Sequence, residues 1–240
     1  MRKLLNVLIF IAIAALAASA QLTVTSKKVT YTRPKPQSEF KRTFTIDYPK
    51  IKALTSALST KIENAIAYTK AFSFTLKEEM NDLQWLEDAN YEVIENSKDI
   101  FCIRLNIEGS AAYPSGSSKY IVLDPNAGIV ATPSAVFTNE AGLAKMVNVE
   151  LKKEIATASD EMKKDPETKD EDPAQLFADH NFEINDLDGF SVTAKGVTFH
   201  YDYGFPHVIQ ALQPDGVFFF TWAQINSYLK PGGLLARAAR

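Results

Sequence analysis

The hydrophobic period of this chain switches repeatedly between two and about 3.6 residues, so it must build both sheet and helix. The β signature is clearest from Tyr91 to Val136. Tyr91-Glu92-Val93-Ile94 reads as one strand. Ile100 to Ile107 reads as another, with Phe101, Ile103, Leu105 and Ile107 on one face and Arg104 and Asn106 on the other. Lys119 to Leu123 pairs with Ile129 to Thr132 across the turn Asp124-Pro125-Asn126-Ala127-Gly128. Three or four strands in sequence order make a meander.

Helical spacing lies on either side. Ile51, Leu54, Leu58, Ile62 and Ile66 form one apolar stripe, and Leu76, Met80, Leu83 and Leu86 form a second, stopping before Asn90. Leu143, Met146, Val147, Leu151 and Ile155 mark a third helix from Asn139 to about Ser159. Residues 21–39 read as an edge strand and a loop holding Pro34 and Pro36, followed by a strand ending at Tyr48-Pro49. The charged stretch 160–173 has the composition of a solvated loop. Near the C-terminus, Phe190 and Val192 face Val197, Phe199 and Tyr201 across Ala194-Lys195-Gly196, a hairpin. Val217 to Phe220 reads as a buried strand, and Thr221 with Gln224 as a capping box opening a short helix that stops at Pro231-Gly232-Gly233. The expected fold is α+β: an antiparallel sheet, meander plus C-terminal hairpin, with two or three amphipathic helices packed on it. Residues 40–235 are expected to form a single domain, since no linker separates two cores.

Residues 1–20 have the three parts of a secretory signal: Arg2 and Lys3, an apolar run from Leu4 to Ala17 broken only by Asn6, and Ala18-Ser19-Ala20 at a cleavage site. The expected mature chain starts at Gln21 and works in the periplasm or outside the cell, meeting the membrane only through the signal before cleavage. Cleavage removes two of the 26 basic groups and none of the 29 acidic ones, leaving a formal charge of −5. That balance argues against nucleic acid as a partner. Cys102 is the one cysteine, inside the apolar run Ile100-Phe101-Cys102-Ile103, so no intramolecular disulfide can form and a buried, inert thiol is expected.

No catalytic constellation is complete. The histidines, His180, His200 and His207, form neither an H-x-x-x-H pair nor an H-E-x-x-H motif, so neither a metal site nor a cofactor is expected. Ser110, Ser115, Ser117 and Ser118 lie in a run without G-x-S-x-G, as a polar surface loop would. Asp186, Asp188, Asp202 and Asp215 lie on turns near aromatics, where a glycan hydrolase could hold its carboxylates; turn aspartates more commonly bond their own backbone.

Aromatic side chains on ordered loops stand out instead. Tyr201, Tyr203, Phe205 and His207 alternate through a Gly- and Pro-containing segment, and Tyr113-Pro114-Ser115 sits in the Ser-rich run. Rigid aromatics bury much area for little entropy and suit protein or sugar contacts. The candidate binding residues are therefore Tyr113, Pro114, Ser115, Tyr203, Phe205 and His207. Such rings also fill the core beneath loops, and Tyr113 and His207 are expected to be the more exposed.

The same segments carry a family likeness. Tyr91-Glu-Val-Ile-Glu-Asn96, Ala112-Tyr-Pro-Ser-Gly116, Asp124-Pro-Asn-Ala-Gly128 with Phe137 beyond it, and Gly196-Val-Thr-Phe-His-Tyr-Asp-Tyr-Gly-Phe-Pro-His207 resemble a bacterial extracytoplasmic domain of unknown function. It resembles the C-terminal domain of the RsiV-type lysozyme-sensing anti-sigma factors, also found beside peptidoglycan deacetylase domains. The resemblance covers roughly residues 40 to 235. It implies an α+β fold and a binding role at the cell envelope, with lysozyme the known kind of ligand. No anti-sigma segment is expected before the signal and no deacetylase after it, so neither activity is carried over. Where relatives have a Gly-Ala-His loop, this chain has Ala111-Ala112-Tyr113. The expected function is noncatalytic binding of a lysozyme-like protein or of peptidoglycan. A carbohydrate-active hydrolase and a structural envelope protein are the alternatives.

Overall fold

The computed structural model describes residues 21–110, 113–168 and 171–240; the expected signal peptide lies outside the described residues. The chain begins with β1 (Thr23–Thr32) and β2 (Thr43–Lys52), antiparallel from Thr23 opposite Lys52 to Thr32 opposite Thr43. Helices α1 (Ser56–Ala65), α2 (Tyr68–Ala71) and α3 (Leu76–Asn81) cross to β3 (Leu86–Asn96). Because a helical crossover returns the chain in its original direction, β2 and β3 pair in parallel at Thr45–Asp88 and Ile46–Ala89. This pair departs from the antiparallel arrangement expected. Strands β4 (Phe101–Ser110), β5 (Pro114–Asp124) and β6 (Ile129–Val130) then complete a six-stranded sheet in sequence order as an antiparallel meander.

Short α4 (Pro133–Val136) leads into α5 (Glu140–Lys164), and α6 (Pro173–Leu176) follows. Strands β7 (Phe190–Thr193), β8 (Gly196–His200) and β9 (Val217–Thr221) make a second, antiparallel sheet, before α7 (Trp222–Ile225) and α8 (Leu234–Ala238). The α+β class is as expected, and so is the hairpin, with Val192 opposite Val197 and Phe190 opposite Phe199.

Strand alternation divides the interior between the two faces of the large sheet. Phe101, Ile103, Leu105 and Ile107 join Phe44, Ile46, Ile62, Ile66 and Tyr68 on the face covered by the crossover helices. Cys102 and Val122 point the other way, into a cluster with Val147 and Leu151 of α5 and Val192, Phe199 and Phe220 of the second sheet. Fully burying one such side chain contributes about 1.5–3 kcal/mol, so both faces are driven to be covered.

Several boundaries differ from expectation, each for a local reason. α1 starts only at Ser56, where the Thr55 side chain accepts from the Leu58 amide. Ile51 therefore belongs to β2, and Leu54 is exposed. The second helix ends at Asn81 rather than Leu86. Gln84 adopts φ 55, and its buried amide donates to the Lys35 and Asn81 carbonyls while accepting from the Gln37 amide, so Leu86 opens β3. The Ser-rich run is no loop: Ser115, Ser117 and Ser118 lie on β5 opposite Gly109, Ile107 and Asn106. Helix α5 continues to Lys164, into the expected charged loop, because Met162 is still buried and Lys163 and Lys164 suit a helix C-terminus. β9 is half-buried: Phe218 and Phe220 face the core, while Val217 and Phe219 face outward.

Candidate functional site

The hairpin of β4 and β5 keeps an unbroken register from Phe101–Leu123 to Ser110–Pro114. Among the described residues β6 pairs only with Leu123 and Asp124, so the rest of β5 forms an edge of the sheet. Trp85 braces it, its backbone oxygen accepting from the Ser110 amide and its indole Nε1 donating to Ser115 Oγ at 3.2 Å. Tyr113 stands at the tip, 59% exposed.

A second element comes to meet it. Beyond β8 the chain forms a strap, residues 201–216, that returns to β9. At its base the Tyr201 amide donates to the Gly216 carbonyl at 2.8 Å. Asp202 then closes a turn, its carboxylate accepting from the Gly204 amide. Tyr203 and Phe205 turn inward onto Phe177, with ring centroids 5.9 and 5.5 Å away. A 3-10 turn, His207–Leu212, follows, and the imidazole of His207 stacks on Tyr113 at 4.7 Å and 21°. Val208 beside it is 83% exposed.

At the other end of the same stretch of β5, His200 stacks on Tyr120. Each pair of partners is seven positions from the next, 113 to 120 and 200 to 207, in opposite chain directions. The segment from His200 to His207 thus meets the β4–β5 hairpin at both of its ends. His200 Nε2 lies 2.8 Å from Ser191 Oγ, and Arg104 Nη2 donates to Glu92 at 2.6 Å. Burial, then the Arg104 charge, pulls the His200 imidazole down to about 4. The stack on Tyr120 is a clasp between the two sheets, whereas Ser191 lies in the same sheet as His200, only 5% exposed and out of a substrate's reach. Between the two stacks, Asn90, Asn106 and Ser118 form a hydrogen-bonded row across β3, β4 and β5.

Of the residues proposed from sequence, Tyr113, Pro114, Ser115 and His207 come together at the exposed hairpin end. Tyr203 and Phe205 are buried and support the strap from within. Trp85, Tyr120, His200 and Val208 were missed. Nothing local marks Tyr120 as the partner of His200, and only long-range packing brings the two rings together. The turn carboxylates serve their own backbone where bonds are made: Asp186 accepts from the Glu183 amide, and Asp202 from Gly204. Among the described residues no group of three or more His, Cys, Asp or Glu side chains could hold a metal ion.

No family model and no curated protein matches the chain. Solved structures that share its fold include two from one family. A DUF3298 family member from Bacteroides fragilis NCTC 9343 is 13% identical with a TM-score of 0.57, over 90% of this chain and 97% of that one. A DUF3298 family protein from Pseudomonas aeruginosa PAO1 is 14% identical with a TM-score of 0.51, over 89% and 96%. The chain is thus similar in fold to members of a family of unknown function.

Proposed function

We propose that this protein is an exported, noncatalytic binding module of the cell envelope. Its ligand is a lysozyme-like protein or peptidoglycan, and the docking surface is the hairpin end bearing Tyr113 and His207. The observation that carries this reading is the exposed Tyr113–His207 stack, built from two separate elements and continued by Val208. Stacking keeps both rings ordered while they remain accessible, which lowers the entropy lost on binding. The resemblance to the lysozyme-sensing domains supports the choice of ligand, and the formal charge of −5 after loss of residues 1–20 suits a basic partner.

The test is binding of the purified exported protein to lysozyme and to soluble peptidoglycan fragments at low and moderate salt. Saturable binding that Tyr113→Ala or His207→Ala weakens at least about tenfold, as loss of an interface anchor should, is the expected result. Undiminished binding in both variants would move the site elsewhere, and binding to neither ligand would end this reading.

A further inference from the structure

We propose that Glu154 is a positioning residue for the Tyr113–His207 surface, an inference that rests on the reading above. Among the described residues the strap pairs with no strand along its length, so its position depends on its base and on whatever anchors it to neighbouring elements. Glu154 projects from α5 one turn beyond Leu151, which is fully buried. One carboxylate oxygen accepts from the Tyr203 hydroxyl at 2.7 Å. The Gly216 amide donates to the same carboxylate, at 3.2 and 3.3 Å from its two oxygens.

A single acceptor-only group therefore ties both legs of the strap to a helix fixed in the core. The geometry of the second leg is narrow. Gly216 has φ +64, and a Cβ there would lie 2.1 Å from the Tyr201 carbonyl oxygen, so only glycine fits where the amide meets Glu154. Past this anchor the helix and the strap separate around a cavity of about 490 Å³, with Met162 and Asp165 on one wall and Leu212 and Asp215 on the other. Packing against α5 lapses there, and Tyr203 lies four positions before His207. Tyr203 also packs on Phe205 and His180, which carries its placement toward His207.

The experiment uses the full exported chain with Glu154→Ala, Glu154→Gln and Tyr203→Phe. Three readouts are taken: amide hydrogen exchange, the through-space NMR contact between the Tyr113 and His207 rings, and lysozyme affinity. In Glu154→Ala, amides of 204–213 should exchange at least about tenfold faster, the expected weight of a charge-assisted bond, and the ring contact should vanish. Amides of 101–107 should keep their protection. Lysozyme affinity should fall by about tenfold, and Glu154→Gln, which still offers one oxygen to Gly216, should recover part of each change. Unchanged ring contact and strap exchange in Glu154→Ala would overturn the proposal. So would equal loosening of strap and core, which is what a merely structural residue gives. Should Glu154→Ala fail to fold, Tyr203→Phe decides by the same criteria, since it removes only the hydroxyl. If the parent protein binds neither lysozyme nor peptidoglycan, the functional reading falls, and exchange and ring contact alone decide the role of Glu154.

Discussion

The imidazole of His200 lies on the phenol of Tyr120 with ring centroids 3.7 Å apart and planes 6° from parallel, and this pair joins the second sheet to the first. The contact has a pH signature. A histidine in the unfolded chain titrates near 6.5, whereas burial and the Arg104 charge bring folded His200 to about 4. The folded state therefore binds fewer protons than the unfolded state in between. Stability is full above about pH 6.5 and is lost as pH falls toward 4, by about 2 kcal/mol after allowing for solvent screening. Urea unfolding at pH 7, 5.5 and 4 measures this. His200→Gln keeps a partner for Ser191 but cannot titrate, so its loss on acidification should be smaller by that amount. Parallel losses in the two proteins would remove His200 from the account.

Arg33 is the largest fully buried side chain, and it is charged. Its guanidinium donates to the carbonyls of Glu79, Lys41 and Leu86 at 3.0, 2.6 and 2.7 Å, lies 3.7 Å from the Glu79 carboxylate and covers the Phe44 ring. It sews the loop between β1 and β2 to the start of β3. Arg33→Met leaves three carbonyls and a buried carboxylate without their cation and should cost about 3–5 kcal/mol. Arg33→Lys should recover little, because an ammonium cannot reproduce a planar fork reaching three carbonyls. Chemical denaturation of the three proteins tests this, and full recovery by lysine would show that charge alone suffices.

Much of this architecture was legible in the sequence, and the residues show why. Alternation from Phe101 to Ile107 set the fully apolar β4 face and its opposite, which carries Arg104 and Asn106, because a slip by one residue would exchange the two faces. The capping box of Thr221 and Gln224 is local and holds as read. The parallel join of β2 to β3 was not legible, since it depends on how the crossover packs and not on either strand's pattern. Serine has no strong strand preference, so Ser115 to Ser118 looked like a loop until β4 supplied the partner. At the candidate site, aromatic alternation marked the strap but could not separate Phe205, buried on Phe177, from His207, exposed on Tyr113. That distinction rests on α6 and the hairpin tip, both distant in the chain.

Cys102 should be chemically silent in the folded protein. Burial pushes its thiol up to about 12, and it is sealed between β4 and the second sheet. The thiolate is the reactive form, so at pH 8 almost none is present and none is accessible. An aromatic disulfide reagent should take up no equivalents from the native protein and one after denaturation. Rapid native labelling would mean that the second sheet opens away from β4.

Two glycines in and near the candidate site should respond differently to alanine. At Gly109 a Cβ would lie 2.2 Å from the Trp85 carbonyl oxygen and 2.6 Å from the indole, so either the Trp85 backbone or the hairpin must move. Gly109→Ala should lower stability by about 1–3 kcal/mol, as overpacking does, and should release the indole from Ser115. At Gly204 nothing among the described residues lies within 4 Å of an added Cβ, and the cost is that of φ +63, about 1–2 kcal/mol. Trp222 opens α7 and donates its indole N–H to the Ala194 carbonyl, a bond that involves neither glycine, so its emission serves as the background. A shift of tryptophan emission in Gly109→Ala but not in Gly204→Ala is the expected outcome. Equal emission in both would mean that the hairpin tip accommodates a methyl group without disturbing Trp85. The bracing of the hairpin end by that side chain would then be weaker than its close contact with Gly109 implies.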